Sequence, residues 1–102
     1  MSDPQPLFAA LSDPTRRAVF ERLATKGPAS ATTLAREVPV SRQAVSKHLA
    51  ALDEAGLVER ASIGREVRYA AVVGPLRDVS QWVDRIGSEW DTRLERLKRA
   101  VD

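Results

Sequence analysis

Apolar residues recur along this chain with a period that changes once, from about 3.6 to 2, and then changes back. Leu7, Phe8 and Leu11 stand at helical spacing and predict a short first helix, behind a start (Met1 to Pro6) expected to be loosely ordered. Asp13-Pro14 predicts the next helix start. A residue before proline avoids helical angles, so Asp13 can cap while Pro14 occupies the first helical position. Val19, Phe20 and Leu23 form the inner face of that second helix, and Lys26-Gly27-Pro28 ends it. Ser30 is placed to cap a short third helix reaching about Val38, with Leu34, Ala35 and Val38 inward and Pro39 ending it. Ser41 caps a fourth helix over about 42–55, whose inner face is Val45, Leu49 and Leu52, and Gly56 closes it. The break Val38-Pro39-Val40-Ser41 between the two has the length of a helix-turn-helix.

From Leu57 the pattern alternates. Leu57–Ile63 and Glu66–Val73 read as two strands around Gly64-Arg65, with Val67, Tyr69 and Ala71 alternating with Arg68 and Ala70. Helical spacing returns after Gly74-Pro75. Leu76, Val79, Val83, Ile86, Trp90, Leu94, Leu97 and Val101 form one stripe about 26 residues long, roughly 39 Å of helix. Gly87-Ser88 interrupts the stripe and is a place where the helix could kink. The expected fold is therefore mainly α with a two-stranded β-wing, a winged helix-turn-helix: four helices, two strands, one long helix, in a single domain over residues 1–102.

A domain of this size has a radius of gyration of about 13 Å, so the last helix overhangs it. Its outer half needs a partner surface. A homodimer is expected through segments 1–12 and 75–102, with Leu7, Phe8, Leu11, Val83, Ile86, Trp90, Leu94 and Leu97 at the interface. Trp82 and Trp90 read as core or interface rather than as a ligand platform.

If Val45, Leu49 and Leu52 face inward, Arg42, Gln43 and Ser46 face outward at the start of the fourth helix. Arg suits the O6/N7 edge of guanine and Gln the N6/N7 edge of adenine. A recognition helix presents such residues to the major groove. Thr33, Arg36, Ser41, Lys47 and His48 are better placed for phosphates, which set register without reading sequence. For His48 the alternative is a packing or hydrogen-bonding contact that steadies the helix. At the tip of the wing, Gly64, Arg65 and Arg68 can enter a minor groove or follow the backbone, or form a charged turn that keeps an edge strand from pairing. Double-stranded DNA is the expected partner. The rival reading is a winged-helix module that binds protein, in which Arg42, Gln43 and Arg65 are plain surface.

Composition narrows the alternatives. The 102 residues contain no cysteine and one histidine, which excludes disulfides, thiolate metal sites and a cysteine nucleophile. His48 has no second histidine or cysteine with which to complete a zinc site, so no metal or cofactor is expected. The acidic residues fall on exposed helical faces without a paired environment to tune them, so an enzyme is not expected. Net charge is only +2, so DNA binding has to come from where charge is placed, not how much there is. No apolar run approaches the ~18 residues of a membrane span, and no signal peptide is visible, so a cytoplasmic protein is expected.

Four segments together resemble the ArsR family of bacterial winged-helix repressors. They are Leu11-Ser12-Asp13-Pro14-Thr15-Arg16-Arg17, Ser46-Lys47-His48-Leu49, Leu52-Asp53-Glu54-Ala55-Gly56-Leu57-Val58 and Gly64-Arg65-Glu66-Val67-Arg68-Tyr69, in family order within about residues 7–73. The resemblance implies a homodimer on a pseudo-palindromic operator, repressing its own operon. Metal-sensing members use cysteines in the third helix, where this chain has Leu34-Ala35-Arg36-Glu37-Val38. Others use histidine with carboxylates in the last helix, where this chain has Asp78, Asp84, Glu89 and Asp91 but no histidine. The resemblance therefore points to the branch without those ligands, with any small-molecule effector unknown. Pro39 stands where a glycine is common in the inter-helix turn, which bears on the entry angle of the recognition helix.

Overall fold

The structure, a computed structural model, describes residues 3–101; Met1, Ser2 and Asp102, and any expectation that falls on them, lie outside it. The elements are α1 (Gln5–Ser12), α2 (Pro14–Lys26), β1 (Ala29–Ser30), α3 (Ala31–Glu37), α4 (Arg42–Glu54), β2 (Val58–Ile63), β3 (Glu66–Ala71) and α5 (Gly74–Val101). The helix starts follow from local capping. The Asp13 carboxylate accepts the Arg16 N–H at 2.9 Å, Ser30 Oγ accepts the Thr33 N–H at 3.1 Å, and Ser41 Oγ accepts the Ala44 N–H at 3.1 Å. The stops are local too. Gly27 takes φ +96°, a left-handed angle disfavoured for other residues, and donates its N–H to Leu23 O at 3.1 Å.

The core lies where α2, α3 and α4 converge. Val19, Phe20 and Leu23 of α2, Leu34 of α3, and Val45, Leu49 and Leu52 of α4 are buried, and Leu57 and Val58 seal it from the wing side. Leu57 precedes the strand it was expected to start. Its N–H donates to Leu52 O at 2.9 Å and its carbonyl accepts from Val72 at 2.8 Å, so it joins the end of α4 to the segment after β3.

At three points the structure departs from the sequence reading. Residues 5 and 6 are helical, because a proline in the first turn gives up only an N–H that has no intrahelical partner. The sheet has three strands, ordered β1-β3-β2, since Ala29 and Ser30 pair with Tyr69 and Arg68. Leu7, expected at an interface, is buried in the protomer's own core, because α1 turns Leu7 and Ala10 onto the domain while Phe8, one position on, faces solvent.

β2 and β3 form the wing, an antiparallel hairpin in which Ile63 pairs with Glu66 across Gly64-Arg65. Gly64 has φ +65° and Arg65 does not have positive φ, the signature of a type II′ turn, which matches the twist of a hairpin. Beyond Val58 β2 is exposed, while Tyr69 and Ala71 of β3 still pack against the core.

α5 runs unbroken for 28 residues, about 42 Å, through Gly87 and Ser88, which the sequence marked as a possible kink. Leu76 and Val79 pack against the core. Among the described residues from 80 onward none is buried. The helix stretches the molecule to 67 × 25 × 22 Å with a radius of gyration of 18.4 Å, against about 13 Å for a compact chain of this length. No helix among the described residues is long and apolar enough to cross a membrane.

Candidate nucleic-acid interface

A cleft of about 740 Å³ opens between the start of α3, the first turns of α4 and the wing. Arg42 and Ser46, one helical turn apart, face it from α4. Thr33 and Arg36 line it from α3, and Arg65 closes it from the wing. These five residues, singled out in the sequence from three separate elements, come together on one surface. Within the cleft only Glu66 opposes the three arginines. Among the described residues Arg36, Arg42 and Arg65 form no ion pair, so their guanidinium donors are free for an anionic ligand.

Local geometry leaves the hydroxyls usable as well. Ser30 Oγ donates to Thr33 Oγ1 at 3.1 Å while accepting the Thr33 N–H. The Thr33 hydroxyl proton is therefore available to a phosphate oxygen. Ser41 is committed as the α4 cap through its oxygen lone pair, and its hydroxyl proton likewise remains.

The other candidates sit elsewhere. Gln43 and Lys47 are exposed on α4 but lie outside the cleft, on the neighbouring strip of the helix. Arg68 is on the opposite face of β3 from Val67 and Tyr69, 3.5 Å from Glu66. His48, considered for a phosphate, is half-buried on α4, and its Nδ1 is buried with no hydrogen-bond partner among the described residues.

Ser30, Thr32, Ile63, Val67 and Tyr69 also line the cleft and were not expected from the sequence to contact DNA. Ser30 and Tyr69 arrive there through the β1–β3 pairing, which carries no periodic signal. Ile63 and Val67 read only as strand residues. Among the described residues there is no group of three His, Asp or Glu side chains that could hold a metal ion.

Two carboxylates outside the cleft are held below their ordinary range. Asp13 is lowered first by the Arg16 N–H; desolvation, the next largest effect, opposes this, and the Thr15 N–H and the His48 and Arg16 charges lower it further. Glu37 is lowered chiefly by its hydrogen bond from Arg22, whose other arm donates to Gly27 O at 2.8 Å. A carboxylate with a depressed folded-state pKa contributes stability above its unfolded pKa and loses it as pH falls through the folded value. Stability should therefore decline below about pH 4. Asp13→Asn keeps a capping side chain but removes one titration. Its melting temperature should fall less steeply between pH 5 and 2 than that of the parent protein, measured by circular dichroism; parallel curves would show that Asp13 does not contribute to the acid limb.

A helix-turn-helix whose second helix and wing flank an arginine-lined cleft defines a winged-helix DNA-binding protein. A helix-turn-helix domain family matches residues 11–61, half of the chain. The structure is similar to that of an ArsR-like transcriptional regulator from Rhodococcus sp. RHA1, with a TM-score of 0.87 and 44% identity, covering 97% of this chain and 92% of that one. It is 30% identical to the transcriptional repressor SdpR of Bacillus subtilis over 88 residues, 86% of this chain and 97% of that protein. Over 55 residues it is 54% identical to the HTH-type transcriptional regulator Rv2034 of Mycobacterium tuberculosis, a stretch covering 54% of this chain and half of that protein. The chain belongs to the ArsR family of helix-turn-helix transcriptional regulators. These relatives are transcriptional regulators.

Proposed function

We propose that this chain is a homodimeric, sequence-specific repressor of its own operon, working in the cytoplasm and not sensing metal through cysteine or histidine. The cleft joining Arg36, Arg42 and Arg65 is the observation that carries the reading, since it sets three unpaired guanidinium groups against the base-reading end of α4. Arg42 and Gln43 read base edges with Ser46, and Thr33, Arg36, Ser41 and Lys47 hold phosphates. The exposed stripe of α5 supports the dimer, and the similarity to a transcriptional repressor supports the sign of regulation. Two recognition helices then enter successive major grooves about 34 Å apart. Release is by an organic effector of unknown identity, or the protein has no small-molecule switch.

Fluorescence anisotropy with duplex DNA from upstream of the coding region, against a scrambled duplex, tests the reading. Preference for the upstream duplex should persist at near-physiological salt, with two subunits per site. The double variant Arg42→Ala/Gln43→Ala should lose about 30-fold or more of that preference, as good bidentate base contacts are worth about 1–3 kcal/mol each and two are removed. Equal, weak and salt-erased binding to both duplexes would count against a specific regulator of that promoter and favour a protein-binding module.

A further inference from the structure

The tip of the wing is not simply basic. Ile63 and Val67 flank the Gly64-Arg65 turn, one on each strand, and are 57% and 42% exposed. Both line the same cleft as Arg36, Arg42 and Arg65. Neither is among the side chains packed on the core, which in the wing are Val58, Tyr69 and Ala71, and the turn geometry comes from Gly64. Elsewhere on the wing, exposed positions are charged or small, namely Glu59, Arg60, Ala61 and Ser62. Two large aliphatic side chains left in water at the point farthest along the hairpin are thus continuous with the DNA cleft.

Resting on the DNA-binding reading above, we infer that Ile63 and Val67 are a second kind of DNA contact, packing against the deoxyribose faces of the groove wall beneath the wing. A phosphate offers an aliphatic side chain nothing, whereas the sugar carbons that line a groove are apolar, and proteins that enter the minor groove often do so with apolar side chains. Arg65 between them takes the phosphate. The wing then has two separable contributions. Arg65 supplies one that weakens with salt, because it displaces a condensed counterion. Ile63 and Val67 supply one that displaces none and persists as salt rises.

Their different salt dependence gives the test. Binding of the whole protein to the duplex it prefers is titrated at several salt concentrations, for the parent, Ile63→Ser/Val67→Ser and Arg65→Ala. The aliphatic double variant should bind about tenfold more weakly at every salt concentration, with the slope of log affinity against log salt unchanged. Arg65→Ala should instead flatten that slope by about 1. Circular dichroism and sedimentation of the double variant should match the parent, since both side chains are exposed in the protomer. Unchanged affinity of the double variant, or a loss accompanied by a flatter slope, would overturn the inference while leaving the DNA reading intact. If the parent protein itself prefers no duplex, the DNA reading fails first and this one with it.

Discussion

In the proposed dimer, replacing Trp90 and Leu97 with glutamate should leave a monomer and weaken binding to operator DNA by about 100-fold or more. Both side chains are 60% exposed in the protomer, so the substitutions remove nothing from its own core. They do place two charges on the stripe of α5 that also carries Val83 and Ile86, where a partner helix would have to desolvate them. A 28-residue helix with no buried residue is held by its first turns alone, and its outer part gains apolar burial only from another chain. The loss of DNA affinity follows from avidity. One recognition helix bound to one half-site loses the effective concentration that tethers the second. Sedimentation equilibrium and anisotropy read the two effects on the same sample. A variant that remained dimeric would place the interface elsewhere. A monomer with undiminished affinity would mean that one protomer reads the whole site.

Leu52→Ala should be the costliest of the conservative core truncations, lowering stability by about 2–5 kcal/mol. Leu52 is fully buried on α4, and its carbonyl accepts the Leu57 N–H that turns the chain into the wing. The cavity would open beneath the recognition helix, between α2 and the base of the hairpin. A domain of this size commands about 5–15 kcal/mol in total, so the variant should be marginal at 37 °C. Urea denaturation at a fixed protomer concentration measures the change, because a dimer's apparent stability depends on concentration. A loss under 1 kcal/mol would show that the surrounding side chains collapse into the space.

Much of this architecture was legible in the chain because the signals are local. Asp13, Ser30 and Ser41 announce helix starts within three residues of themselves, Gly27 and Gly56 mark stops, and the period-2 run around Gly64-Arg65 declares a hairpin. The inner faces Val19-Phe20-Leu23 and Val45-Leu49-Leu52 follow from spacing alone. Features that depend on the approach of distant elements were not legible. β1 is two residues long and has no period of its own; it exists because β3, almost forty residues later, offers Tyr69 and Arg68 an edge. Leu7 and Phe8 are adjacent and similarly apolar, and only the seat of α1 on the domain decides that Leu7 is covered.

For the functional surface the division is the same. The sequence by itself determined which residues stand at the outward start of α4, that the wing tip carries Arg65, and that an apolar stripe too long for one small domain runs through residues 76–101. Helical period and side-chain chemistry suffice for that. Only the tertiary structure decided that Arg42 and Ser46 share a cleft with Arg36 and Arg65 while Gln43 and Lys47 do not, that Nδ1 of His48 is buried, and that Ile63 and Val67 border the same cleft. Those outcomes depend on the angles at which α3, α4 and the hairpin pack, and packing angles are set by how whole buried faces fit together rather than by any short stretch of residues.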